Sequence, residues 1–278
     1  MIFARALPVA LAAVLLTSSF VAWLFPYERV AGALSERATA WTGIELHFGE
    51  VGPALSWGGV GIEALDVRAA LPRGDTFVLP SLFLRPAWSP RWLIGDPQLV
   101  VAVDGGALGT LDGTVGLGGS GSWDAELASI RVGILPLELA VPGLFMEGTL
   151  SGTVRVALDD AGQTAGELSL EFTEGSLQAP GLPLPLPYER LNADIELGGD
   201  VTATVRALAI AGPVMSATLA GTVGRAEQRG REPLSLEMQI QKVGRALQPL
   251  LRDLGIELAS AGPTRLEITG TLDRPTFR

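Results

Sequence analysis

A mainly β domain carried on one N-terminal membrane helix is the architecture this sequence predicts. Three observations lead there: an uncharged apolar run over residues 6–25, short Val-, Leu-, Ile- and Thr-rich segments broken by Gly, Pro and Asp from residue 44 onward, and 35 glycines among 278 residues. Glycine at that level, without a collagen period, suits a chain of many turns and close-packed strands. With 47% hydrophobic and 18% charged residues, the chain is too apolar for disorder and long enough to bury a core.

The run Ala6–Phe25, ALPVALAAVLLTSSFVAWLF, has the length a helix needs to cross a hydrocarbon layer of ~30 Å. Pro8 falls in the first turn, where a missing N–H costs little. Trp23 and Tyr27 stand where interfacial aromatics belong. Arg5 and the amino terminus precede the run, while Glu28 and Arg29 beyond it offset each other. The small positive bias places residues 1–5 in the cytoplasm and everything after the anchor outside it. The alternative is a cleaved signal peptide, whose best site would follow Thr17-Ser18-Ser19. The absence of an A-x-A pattern and the continuation of the apolar run to Phe25 favour a retained anchor.

A juxtamembrane helix is expected over residues 26–43. Val30, Leu34, Ala38 and Trp41 recur at helical spacing on one face, and Gly43 is placed to end it. Residues 44–278 then form a periplasmic β-rich domain. Candidate strands are Ile44–Val51, Val60–Arg68, Phe77–Leu84, Gln98–Val103, Leu108–Leu117, Leu135–Val141, Thr149–Leu158, Glu167–Phe172, Leu191–Leu197, Val201–Ile210, Val214–Val223, Leu234–Gln241 and Thr264–Thr271. Such close spacing leaves no room for crossover helices, so the strands form an antiparallel meander.

One strand motif recurs: GTLDGTV at Gly109–Val115, GTLSGTV at Gly148–Val154 and ATLAGTV at Ala217–Val223, with GTLDRP closing the chain at Gly270–Pro275. The copies have no fixed period, so this is repeated strand chemistry and not a solenoid. In a strand, Leu111, Gly113 and Val115 point to one face and Thr110, Asp112 and Thr114 to the other, and the later copies behave alike. A second helix is expected late in the chain, where Val243, Leu247, Leu250, Leu251 and Leu254 follow a helical stripe. Gly255 would stop it and Pro249 would kink it. Its simplest role is to cap the core; the sharper one is a partner or membrane contact.

Several classes of function are excluded or disfavoured. A net charge of −10 repels nucleic-acid phosphates and argues against a polybasic lipid patch. No cysteine is present, which removes disulfides, thiol nucleophiles and cysteine zinc sites. Lys242 is the only lysine, a pattern we ascribe to coding bias. His47 is the only histidine. It lies opposite Leu46 and Phe48 in an apparent strand, and one isolated histidine makes neither a triad nor a metal site. Asp159-Asp160 sits in a DDAGQ turn, where Asp and Gly serve geometry. Gly116-Leu117-Gly118-Gly119-Ser120-Gly121 matches the dinucleotide pattern G-x-G-x-x-G but lacks a βαβ context, so it reads as a hairpin turn. Leu182–Pro187, LPLPLP, favours an extended connection. Trp57, Trp88, Trp92 and Trp123 read as core residues, with a membrane-facing band as the alternative. The sequence therefore predicts no enzyme, no catalytic or metal-binding residues and no cofactor.

The whole chain resembles the type II secretion system protein N family in its AsmA-like form. The resemblance is carried by Phe25–Val30, Thr42–Leu46, Pro53–Gly58, Gly61–Val67, Leu84–Trp88, the GTLxGTV strands, Gly175–Leu177 through Pro185–Pro187, Leu191–Ile195 and the ending Leu266–Pro275. It implies an inner-membrane protein with its C-terminal domain in the periplasm. It implies association with subunits of the machine that exports folded proteins, and a curled, groove-forming β-sheet like those of lipid-transfer proteins. It carries over no catalytic residues. Two roles follow: an accessory component acting through protein contacts, or a protein that shields lipid in a β-groove.

Overall fold

The computed structural model describes residues 45–56, 59–70, 76–89, 95–117, 121–134, 144–158, 163–178, 185–198, 201–226, 231–253 except 246, and 262–277, together with residues 28, 29, 31, 32, 35, 36, 39, 256 and 259. The expected anchor at residues 6–25 lies outside them. Among the described residues no helix is long and apolar enough to cross a membrane. The fold is mainly β, and every strand pairing given below is antiparallel.

Two compact units are distinguished: residues 1–88 with 102–105, and residues 89–101 with 106–278. In the first, β3 (Gly59–Ala70) is the central strand. β1 (Glu45–His47) and β2 (Glu50–Ser56) share one of its edges, with Leu46 opposite Ala69 and Val51 opposite Ala64. β4 (Thr76–Pro86) takes the other edge, with Ile62 opposite Leu84. The expected strand Ile44–Val51 is thus two strands, separated at Phe48-Gly49. A side chain at Gly49 would press on the carbonyl of Leu65 and on Asp66, so the break falls where backbones approach closely. The residues described between 28 and 39 are helical, as expected. Ala31 is buried among Phe48, Val51, Ile62, Ala64, Leu82 and Leu84. The Ser35 hydroxyl donates to the Leu46 carbonyl at 2.6 Å.

β5 (Gln98–Asp104) contributes residues to both units. The second unit is a meander of β6 (Thr110–Gly116), β7 (Trp123–Arg131), β9 (Thr149–Leu158), β10 (Thr164–Gln178), β11 (Leu186–Leu197), β12 (Ala203–Ala211), β13 (Met215–Val223), β14 (Pro233–Val243), β15 (Thr264–Thr271) and β16 (Arg274–Phe277), each paired with the next. β8 (Phe145–Met146) adds to the end of β10 beside β9.

Several expectations are corrected here. β7 was not expected as a strand at all, because its alternation breaks at a bulge between Leu127 and Ile130, where Ser129 takes φ 55°. The end of the LPLPLP run is not a free connection: Leu186 and Pro187 open β11, opposite Leu177 and Ser176. The late helix is only Gln248–Asp253. Val243 ends β14, and Pro249 occupies the helix's first turn, so it starts the helix instead of kinking it. Trp88 and Trp123, 68% and 46% exposed, are not core residues. Trp57, Trp92 and the expected strand Leu135–Val141 lie outside the described residues.

The repeated motif explains part of the glycine content. Gly152 and Gly221 adopt φ 148° and 141°, a region closed to side-chain-bearing residues. A methyl at Gly152 would overlap the Ser169 carbonyl, and one at Gly221 the Ser235 carbonyl. Gly221→Ala should therefore lower unfolding stability by about 2 kcal/mol in a urea titration. Gly52→Ala in β2, with nothing within 4 Å of the added carbon, should stay within about 0.5 kcal/mol of the parent. Equal effects would refute the close-approach account.

Candidate functional site

The two-residue period of the strands sorts the second unit into one polar and one apolar face. Cross-strand pairing lines the apolar side chains up in four rows. The fourth row joins Ile130, Leu150, Phe172, Leu191, Ile210, Ala217 and Ile240. The third passes through Leu111, Leu127, Gly152, Leu170, Ala193, Leu208, Leu219, Met238 and Leu266. The second includes Val154, Leu168, Ile195, Val205, Gly221, Leu236 and Ile268, and the first Val115, Trp123, Val156, Leu197, Val223 and Leu234.

Burial is graded across these rows. Leu150, Phe172, Leu191, Ile210, Ala217 and Ile240 are buried, and they cluster with Val132, Leu186, Tyr188 and Ile256. Leu247 and Leu251, before and within the short helix, pack against this cluster. Local hydrogen bonds from Leu251 N to the Leu247 carbonyl and from Ile256 N to the Leu251 carbonyl hold the turn that carries these side chains. The helix thus covers one end of the apolar face. In the other rows Ala193, Val205, Leu234, Leu266 and Ile268 are also buried, whereas Leu111, Leu127, Val154, Leu168, Leu170, Ile195, Leu208, Leu219, Leu236 and Met238 are half-buried. Trp123 and Leu158 beyond them are exposed. Among the described residues, the apolar face is closed at the fourth row and only partly covered in the other three.

The motif copies do not fall at the same depth. Leu111 and Leu219 stand in the third row, whereas Leu150 stands in the fourth, inside the closed end. Sequence alone gave the common face but no sign of this offset, which is set by register.

The closed end is fastened by Tyr188, 3% exposed. Its phenol donates to the Glu147 carbonyl at 2.5 Å. Gly148 and Gly175 make room for it, since a side-chain carbon at either would crowd the phenol oxygen. Burial, followed by the nearby Glu147 carboxylate, raises the phenol's pKa above its ordinary value. Sequence reading did not single out Tyr188; the glycines at 148 and 175 were the available signal.

The opposite face is polar and charged. Arg155 pairs with Asp124 at 3.4 Å, Arg190 with Glu171 at 3.0 Å, and Arg206 with both Glu167 and Glu196 at 3.3 and 2.9 Å. The hydrogen bond and charge of Glu196 raise the pKa of the exposed Arg206 guanidinium. These pairs cross neighbouring strands, except that Arg206 on β12 reaches over β11 to Glu167 on β10; exposed pairs contribute little stability.

The residues singled out for chemistry are not brought together. His47 is exposed on β1, opposite Arg68. The glycine-rich stretch from Gly116 joins antiparallel β6 and β7, with Gly116 N bonded to the Ser122 carbonyl at 2.7 Å, so no helix follows it. The strands flanking Asp159-Asp160 pair Leu158 with Thr164, as a hairpin requires. Among the described residues no group of three or more His, Asp or Glu is placed to hold a metal ion. A scan against protein-family models and searches of curated proteins and solved structures find no match to this chain.

Tyr188→Phe should lower stability at neutral pH by about 1 kcal/mol, the net worth of one hydrogen bond. Because the folded state raises the phenol's pKa, the tyrosine's contribution is complete below the free phenol's value of about 10. It is lost as pH rises through the higher folded value. Urea titrations of the two proteins should begin to draw together above about pH 10 and meet only above the raised folded value; a gap independent of pH would contradict the assignment.

Proposed function

We propose that this chain is an inner-membrane-anchored periplasmic accessory component of the type II protein secretion system, acting through protein contacts and not as an enzyme. The observation that carries the reading is the ordered series of family-like fragments along nearly the whole sequence. Among them, Gly61–Val67 lies in β3 and Leu266–Pro275 spans β15 and the start of β16. The cross-strand ion pairs of the second unit supply an ordered polar surface suited to protein contacts.

One observation favours a second reading. The half-open apolar face could shield acyl chains in an AsmA-like envelope protein, each buried CH₂ contributing ~0.8 kcal/mol. That role calls for a curled, groove-like sheet. Leu168, half-buried on the open part of the face, is the position to alter. Leu150, 5% exposed in the closed end, would take the fold down with it.

The two readings separate in one experiment. The tagged full chain and its Leu168→Asp variant are crosslinked in cells and purified from membranes, and the retained proteins and lipids are identified. The accessory role predicts secretion-platform or secretin subunits with both forms. Absence of those subunits, with lipid held by the parent and lost from a variant that still unfolds cooperatively, would replace it with the lipid role.

A further inference from the structure

We propose that the β2–β3 hairpin end of the first unit dips into the bilayer surface beside the N-terminal anchor, with Leu55, Val60 and Trp88 as the inserting side chains. The proposal rests on the anchor reading of residues 6–25. Leu55 is 86% exposed, Trp88 68% and Val60 46%. All three lie at the hairpin end. Leu55 and Val60 are directly opposed across the hairpin. The Trp88 indole nitrogen lies 3.3 Å from where a side-chain carbon would stand on Gly59, the next residue.

The path of the N-terminal helix says what covers this patch. Ala31 packs beside Ile62, Ala64 and Leu84, near the hairpin end of β3. Ser35 bonds to Leu46, whose partner Ala69 is at the other end of β3. Followed toward its N-terminus, the helix therefore runs toward the hairpin end, advancing ~1.5 Å per residue. The described helix thus presents its N-terminal end, at Glu28, toward the end where the three apolar side chains are exposed. A large exposed Leu with a Trp beside a membrane anchor has the chemistry of an interfacial contact. It would fix the first unit's tilt on the membrane, which a single helix does not.

The chain has no cysteine, so single-site labelling is direct. Leu55→Cys, Val60→Cys and, as control, Val78→Cys carry an environment-sensitive nitrobenzoxadiazole label on the full chain. The proteins are reconstituted in phosphatidylethanolamine–phosphatidylglycerol vesicles containing shallow doxyl-labelled lipid. Val78 is 48% exposed, but it pairs with Arg68 away from the hairpin. The proposal predicts blue-shifted, doxyl-quenched emission at 55 and 60 and unquenched emission at 78. No quenching at 55 and 60, in a chain that resists alkaline carbonate extraction, would overturn the docking and leave the anchor standing. Equal quenching at all three sites would also overturn it. Release of the chain by carbonate would overturn the anchor reading, and the docking with it.

Discussion

In the second unit each internal strand satisfies its backbone through two antiparallel neighbours, and the two-residue period of that pairing decides where every side chain goes. Once Leu150 stands opposite Phe172 and Phe172 opposite Leu191, the facing residues of the whole meander are fixed. A slip of one residue would turn an apolar row onto the charged face. The glycines of the recurring motif serve this constraint. At Gly152 and Gly221 the backbone takes a conformation and a closeness to the next strand that a side chain would prevent. Bulges adjust it locally, as at Ser129, and let β7 present Ile130 to the same face as Leu127.

The same constraint makes the face longer than its cover. A six-residue helix and the chain around it bury the fourth row together with Tyr188, Leu186 and Ile256. The remaining rows are covered only in part, with Ala193, Val205, Leu234, Leu266 and Ile268 buried as well. Large side chains such as Leu168, Leu219 and Leu236 therefore stay half-buried, although leaving them so forgoes ~25 cal/mol of stabilisation for each Å² not removed from water. The two functional readings draw on opposite faces of this sheet. In one, a partner meets the ordered charged side of the sheet; in the other, an apolar chain occupies the open rows.

Much of this fold was legible because local pattern and pairing agree. Thr149–Leu158 and Thr264–Thr271 have the predicted bounds, and the recurring motif puts Leu and Val inward as its alternation requires. What failed had physical causes. The bulge in β7 hid its period. The helical stripe from Val243 to Leu254 was read too long because Val243 obeys the sheet's period and ends β14. Pro187 in LPLPLP joins a strand, because sheet pairing at Leu186 overrides the run's preference for an isolated extended chain. The open and closed ends were not legible, since the depth of each motif copy depends on register between distant strands. The Tyr188 fastening was not legible either, since it needs Glu147, Gly148 and Gly175 together.

Along β10 the apolar face passes from buried Phe172 to half-buried Leu170 and Leu168, and a single-cysteine series there tests this opening directly. Phe172, Leu170 and Leu168 occupy successive rows from the closed end outward. In the otherwise cysteine-free full chain, thiol-modification rates under native conditions should rise from Phe172→Cys through Leu170→Cys to Leu168→Cys. Equal protection at all three positions would mean that the face is covered along its length, and the open apolar surface would have to be abandoned.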